Sequence, residues 1–293
     1  MGALQGPAEL LPVSSSGHLA LLPRLLGWHY SDLPSDARKT FEVACHAGSV
    51  PVVVAAARRL HRRAGERPDL AALPLAVLPT GVAGLAFERP IEAGLGGPRS
   101  VAAAQIGAGL ALALADRRGG ERERSGPADH LAVGVAQAVA LVPGVSRLGA
   151  ALTAARMRGL SRRASLRLAL AAAAPVTLGA AALKAARAAG GKLDRDLHAA
   201  ALAGGGAALL STAAAYPLLA RLERTPSYAP LAAYRIGFGV LALAAAGSEW
   251  ARPPCLNGAD GRRRVRARRR RPVRLGLGRV RPRRGPRRHP DPA

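Results

Sequence analysis

The groups able to do chemistry lie close together near the start of the chain. Between Gln5 and His18, an otherwise apolar stretch carries one carboxylate (Glu9), three successive hydroxyls (Ser14, Ser15, Ser16) and one imidazole (His18). Ionisable groups are costly to bury in apolar surroundings unless they are paired or used. A second polar group stands at Pro143-Gly144-Val145-Ser146-Arg147-Leu148-Gly149. Glycines there let the backbone turn N–H groups inward as an anion nest, and a guanidinium can grip a phosphate through two parallel hydrogen bonds. A surface loop would also account for the Ser, Gly and Pro of the first group, and interfacial snorkelling for Arg147. Glu9 and His18 flanking a serine run, and glycines on both sides of Arg147, favour chemistry over both.

Together the parts suit phosphoryl transfer. Arg147 with the nest at Gly144 and Ser146 would bind and neutralise a reacting phosphate, and Gln5, Ser14 and Ser16 are further candidate substrate contacts. A serine attacks if a neighbouring base takes its proton. His18 is near enough in sequence to be that base, or the acid for the leaving group. Glu9 is the candidate metal ligand, for Mg²⁺ or Ca²⁺. These hard cations take oxygen ligands, and Mg²⁺ draws much of its shell from substrate phosphates and water.

The elements that must position these groups are apolar helices. Of 293 residues, 49% are hydrophobic and 3% aromatic, and more than half of the formal net charge of +25 sits in residues 251–293. The rest is rich in long Ala, Leu and Val stretches, which fits a polytopic membrane protein better than a soluble basic one. Spans are expected at roughly 40–57, 69–89, 100–116, 165–186, 198–220 and 230–249. By the positive-inside rule the clusters at Arg58–Arg63 and Arg117-Arg118 lie in the cytoplasm, with 69–89 and 100–116 forming a hairpin between them. No cleavable signal peptide is expected, because Met1 runs straight into the Gly/Pro/Ser motif. Cys45 and Cys255 are too far apart in sequence to suggest a metal or disulfide pattern.

Two stretches, 2–26 and 131–155, are too short or too broken by Pro, Gly and Ser to span, and read as re-entrant hairpins lining a wet cavity. They echo one another. Gln5 precedes Val13-Ser14 and Gly17 by the same offsets at which Gln137 precedes Val145-Ser146 and Gly149. Arg38 precedes Pro51 as Arg162 precedes Pro175. The expected fold is therefore an all-α polytopic membrane protein, an inverted-repeat helical bundle whose two re-entrant hairpins meet at one site.

The two motifs, in this order and at this separation, resemble those of the undecaprenyl-diphosphatase family, the bacitracin-resistance type of membrane phosphatase. Thr40-Phe41-Glu42-Val43 with Gly48-Ser49, Pro79 before Gly84, Pro175, and Ala233-Tyr234-Arg235 extend the resemblance over residues 1–249. It implies a hydrolase that converts undecaprenyl diphosphate to undecaprenyl phosphate and recycles the carrier lipid for cell-wall synthesis. It places the family's acidic-or-amide position on Gln5, its acidic residue on Glu9, its candidate nucleophile on Ser15, its histidine on His18 and its phosphate-binding arginine on Arg147. A divalent cation, a site open to the extracytoplasmic side and a multi-pass location in the bacterial inner membrane are further implications. Three departures are visible. Leu148 replaces a small hydroxyl residue, Gln5 brings no charge to a metal, and Met1 begins almost on the motif.

The expected partners are the polyprenyl diphosphate lipid and the bilayer, with a homodimer left open. The tail at 250–293 is rich in Arg, Pro and Gly, a composition that cannot bury a core, and is expected to be disordered. It lacks aromatic residues for base stacking, and no nucleic-acid partner is expected. The alternative function is a transporter or flippase of polyprenyl phosphate, which shares broken helices but has no need of the Glu, Ser and His set. A second membrane phosphatase superfamily with a Ser-Gly-His element requires a histidine six residues after the arginine, where this chain has Thr153.

Overall fold

A computed structural model describes residues 1–65, 67, 69–188 and 195–246. Ten α-helices and no strand are found among the described residues. They are α1 (Gly2–Leu10), α2 (Ser15–Leu25), α3 (Ser35–Arg63), α4 (Leu73–Leu95), α5 (Pro98–Arg118), α6 (Pro127–Val139), α7 (Arg147–Met157), α8 (Arg162–Ala188), α9 (Arg195–Glu223) and α10 (Ala229–Ala245). The six expected spans fall on α3, α4, α5, α8, α9 and α10. Of these, α3, α8 and α9 are long and apolar enough to cross a membrane by length and composition. The end of the last expected span and the basic tail, from 247 onward, lie outside the described residues.

Helix starts follow local chemistry. Proline occupies the first turn of α4, α5, α6 and α10, where its missing N–H is not needed. Leu, Val and Ala fill a core that runs through α3, α7, α8 and α9, including Leu60, Leu152, Leu166, Leu170 and Leu219.

The packing order reveals an internal duplication in which α1–α5 correspond to α6–α10. Helix α1 packs on α9 as α6 packs on α4, and α3 packs on α9 as α8 packs on α4. Likewise α2 meets α10 as α7 meets α5, while α3–α8 and α5–α10 each pair a helix with its own counterpart. Each half thus lends its fourth helix to the other. As a result α4 and α5, consecutive in sequence, pack chiefly on other helices among the described residues rather than on each other. Helix α4 lies on α6 and α8, and α5 lies on α10 and α7.

One carboxylate ties the loop at 119–126 to the second half. Asp129 is 2% exposed and accepts from Arg122 Nη1 and Nη2 at 2.7 and 2.9 Å, from Arg158 Nε at 3.0 Å and from the Gly126 N–H at 2.8 Å. Burial alone would raise its pKa. The hydrogen bonds from Arg122, Gly126 and Arg158 outweigh that and hold the carboxyl well below the usual range. A depressed folded-state pKa stabilises the fold fully above the ordinary Asp value, about 4, and this contribution fades as pH falls toward the folded value. Asp129→Ala should lower stability by about 2 kcal/mol at neutral pH, seen as a lower unfolding midpoint in detergent. The gap from the parent protein should narrow in acid.

Candidate active site

Helix α1 stops at Leu10 and α2 begins at Ser15; α6 stops at Val139 and α7 begins at Arg147. Both second helices open in the same way. Ser14 and Ser146 hold positive φ, 74° and 68°, and their hydroxyls accept from Gly17 N–H at 3.2 Å and Gly149 N–H at 3.1 Å. Such a backbone costs on the order of 1–3 kcal/mol for a residue other than glycine, and the cap offsets part of it. The glycines are required by close approach. A Cβ on Gly17 would sit 2.6 Å from Gln105 Nε2, and one on Gly149 would sit 2.5 Å from Arg235 Nη1.

Those two neighbours hold the loops together. Arg235, on α10, is fully buried. Its Nη1 donates to Pro12 O at 3.1 Å, and its Nη2 to Gly144 O at 3.0 Å and Val145 O at 2.7 Å. Its Nε donates to Gln105 Oε1 at 3.1 Å, and Gln105 Nε2 in turn donates to Val13 O at 2.9 Å. One guanidinium and one amide, from α10 and α5, therefore satisfy backbone carbonyls of both broken hairpins. A direct link crosses between the loops as well, from Gly144 N–H to Ser16 Oγ at 3.4 Å, and Ser16 Oγ lies 3.2 Å from Ser14 Oγ.

Beside this joint sits the carboxylate. Glu9 Oε2 accepts from Ser15 Oγ at 2.9 Å and from Gln5 Nε2 at 3.0 Å. The same amide nitrogen lies 2.9 Å from His46 Nδ1, on α3. A flipped amide would set its oxygen against the carboxylate, so the nitrogen serves both partners and His46 Nδ1 accepts. The 3.4 Å contact between His46 Nδ1 and Glu9 is then not an ion pair through that nitrogen. Arg147 donates to Thr177 Oγ1 at 2.8 Å and is near enough to act electrostatically on Glu9.

His18 is placed differently from the serine hydroxyls. Its Nδ1 donates to Ser14 O at 2.7 Å, its Nε2 accepts from Tyr234 OH at 2.7 Å, and its ring stacks on Phe238 at 4.5 Å. Both ring nitrogens are thus engaged away from Ser15. The arrangement brings together Gln5, Glu9, Ser14, Ser15, Ser16, Gly144, Ser146 and Arg147, with His18 behind them. Sequence marks Tyr234 and Arg235 only through the resemblance, and does not mark His46, Gln105 or Thr177. A polar residue within an apolar span is the signal that points to them.

What the site can hold follows from its donors. Helices α2 and α7 both begin at the joint, and their first-turn N–H groups carry the partial positive charge that favours an anion. Among the described residues no three His, Cys, Asp or Glu side chains converge on a metal position. Oxygens are nevertheless spare: Gln5 Oε1 is buried with no partner, and Glu9 takes its hydrogen bonds on Oε2 alone. An all-oxygen set with one carboxylate fits a hard divalent cation that shares its shell with a phosphate ligand.

Comparison with known proteins agrees in extent and kind. The family model described as bacitracin resistance protein BacA matches residues 1–241. The undecaprenyl-diphosphatase of Geobacter sulfurreducens is 35% identical over 262 residues, covering 83% of this chain and 95% of that protein. Undecaprenyl-diphosphatase 1 of Chromobacterium violaceum is 35% identical over 256 residues, covering 83% and 93%. The undecaprenyl-diphosphatase of Geobacter metallireducens is 38% identical over 202 residues, covering 63% and 73%.

The joint itself can be tested through Arg235. Arg235→Met strands three carbonyls and Gln105 Oε1, and should cost at least about 3 kcal/mol, read as a lower unfolding midpoint in detergent. Arg235→Lys should recover only part of this, since one ammonium cannot bridge loops that a fork-shaped guanidinium spans.

Proposed function

This chain belongs to the bacitracin resistance protein BacA family and is a membrane hydrolase of undecaprenyl diphosphate, and we propose that its chemistry runs where the two hairpin loops join. The observation that carries the proposal is the 2.9 Å hydrogen bond from Ser15 Oγ to Glu9 Oε2, beside Arg147 and at the start of α2 and α7.

In this reading the terminal phosphate of the lipid diphosphate lies against Arg147 and the first-turn N–H groups of α2 and α7. Ser15 Oγ attacks the terminal phosphorus while its proton passes to Glu9. The bond from that phosphorus to the bridging oxygen breaks. Undecaprenyl phosphate leaves with the bridging oxygen and receives the proton from Glu9. Water then attacks the phosphoserine, Glu9 takes the water's proton, and inorganic phosphate departs as Ser15 is reprotonated. A phosphate monoester leaves readily, so a strong general acid is not needed. His18, bound to Ser14 O and Tyr234, fixes the turn that presents Ser15. Gln5 orients the Glu9 carboxylate, and Ser14, Ser16, Gly144 and Ser146 shape the phosphate seat. A Mg²⁺ or Ca²⁺ at Glu9 Oε1 and Gln5 Oε1 would supply charge neutralisation on the diphosphate.

The wider setting is part of the same proposal: a multi-pass protein of the bacterial inner membrane, with both hairpins re-entering the bilayer and the halves oppositely oriented. The length and apolarity of α3, α8 and α9 support it, as does broken backbone satisfied by protein groups. A homodimer belongs to this proposal and is to be read from cross-linking in native membranes. Transport of the same lipid is not favoured. A hydroxyl hydrogen-bonded to a carboxylate next to a guanidinium is more than a carrier requires.

Ser15→Ala and Glu9→Gln should each reduce phosphate release from long-chain prenyl diphosphates on the order of 10³-fold. Arg147→Ala should lower it about 10²- to 10³-fold, all three proteins remaining folded by gel filtration. Chelation should abolish turnover and added Mg²⁺ or Ca²⁺ restore it. Ordinary turnover by the Ser15 variant, with loss in Ser14→Ala or Ser16→Ala instead, would move the nucleophile to that neighbour.

A further inference from the structure

A polar cavity of about 280 Å³ lies at the end of the bundle where α3 finishes and α4, α6 and α8 begin. It shares no residue with the hairpin joint. The buried part of its lining is basic or imidazole: His61 at the end of α3, His130 in the first turn of α6 and Arg167 on α8 are 8%, 3% and 8% exposed. The exposed part includes Arg67 and Arg124.

Among the described lining residues, three guanidinium groups stand with two carboxylates. Of the two carboxylates in the lining, Asp69 accepts the Ala71 and Ala72 N–H groups at 3.1 and 3.0 Å, and Glu123 takes Arg167 Nη2 at 3.2 Å. Arg67 and Arg124 have no side-chain partner among the described residues and reach the mouth of the cavity from solvent. Both histidines are oriented alike. His61 Nδ1 donates to Ala57 O and His130 Nδ1 to Gly126 O, each at 2.9 Å, and each Nε2 is left without a hydrogen bond among the described residues. That nitrogen is the ring atom left open to a ligand in the cavity. Leu73 and Ala164, in the first turns of α4 and α8, also line the space, and helix N-termini favour negative charge.

We propose that this cavity binds a phosphate group, as free phosphate or as the headgroup of an anionic phospholipid, independently of the reaction site. Arg67 and Arg124 close on it from solvent, and Arg167 with the two imidazoles receives it from within. A phospholipid would find apolar surface at hand, because Leu70 and Leu131, next in sequence to the lining residues Asp69 and His130, and Val135, one turn after Leu131, are 72%, 46% and 52% exposed.

The test uses the full chain, in neutral detergent and in phosphatidylcholine nanodiscs with and without phosphatidylglycerol. Inorganic phosphate is titrated calorimetrically, and retained phospholipid is counted by native mass spectrometry. The Arg147→Ala protein isolates the cavity from the reaction site, and Arg67→Glu with Arg124→Glu is introduced both there and in the parent. The proposal expects the Arg147→Ala protein to keep one anion site. The charge reversal should weaken that site at least tenfold, while turnover of the parent in neutral detergent stays within twofold. Retention of phosphatidylglycerol, lost on charge reversal and not displaced by millimolar phosphate, assigns the headgroup; calorimetric phosphate binding with no lipid retained assigns the free ion. Equal anion binding before and after charge reversal overturns the proposal, as does absence of both phosphate and lipid from the folded Arg147→Ala protein. Loss of turnover with anion binding intact would instead place these arginines in the reaction and overturn it too.

Discussion

A single buried guanidinium makes the rest of the molecule possible. Breaking a helix inside an apolar bundle frees backbone carbonyls that have no water to turn to, and each stranded group is costly. This chain breaks two helices, one in each half, and sends Arg235 to the place where they break. Taking an arginine out of water is itself unfavourable, and is tolerated only when its donors are met. Pro12 O, Gly144 O, Val145 O and Gln105 Oε1 meet them. The expensive loops and the expensive charge cancel one another. Neither would be stable alone. A guanidinium suits this task because its donors fan out in a rigid plane and can reach two segments at once.

Duplication explains why the backbone of the joint is symmetrical while the side chains around it are not. Each half keeps a serine at positive φ, a glycine three residues on and a buried glutamine on the preceding helix, at Ser14, Gly17 and Gln5 and again at Ser146, Gly149 and Gln137. These are the parts that the turn needs. At matching positions around them the halves differ: Glu9 against Leu141, Ser15 against Arg147, His18 against Ala150. One turn presents a carboxylate and hydroxyls, the other a cation. Because the second helix of each hairpin starts at the joint, both copies also deliver a helix N-terminus to the same place. An anion-binding position then arises from the topology, before any specific side chain is counted.

This division shows what could be read in the sequence. Local signals were legible: apolar runs marked the long helices, Pro, Gly and Ser marked the breaks, and repeated spacing paired Ser14 with Ser146. Legibility stopped where a contact joins distant residues within otherwise ordinary spans. Gln105 lies among alanines, His46 follows a cysteine in α3, and Thr177 sits two residues past Pro175, each a single polar side chain whose partner lies far away in sequence. The basic clusters on either side of α4 and α5 suggest a hairpin by the positive-inside rule, which sees charge at the ends of helices and not the surfaces on which they pack. Exchange of the fourth helices is a property of which faces are small enough to approach, and spacing does not encode that. Nearness to the serines likewise says little about where an imidazole points. On α2, His18 reaches back to Ser14 O and across to Tyr234 on α10.

The two arginines of the joint can finally be told apart by what their donors already do. Arg235 has every nitrogen engaged with the chain, so it has little left to offer a ligand without releasing a loop. Arg147 makes one hydrogen bond, to Thr177, among the described residues, and lies in the field of Glu9. Counted together, Arg147 and Arg235 against Glu9 leave the joint with one more positive than negative charge. That excess is of the sign that the proposed diphosphate site requires. The structural arginine fixes where that excess sits, and the other is the one free to use it.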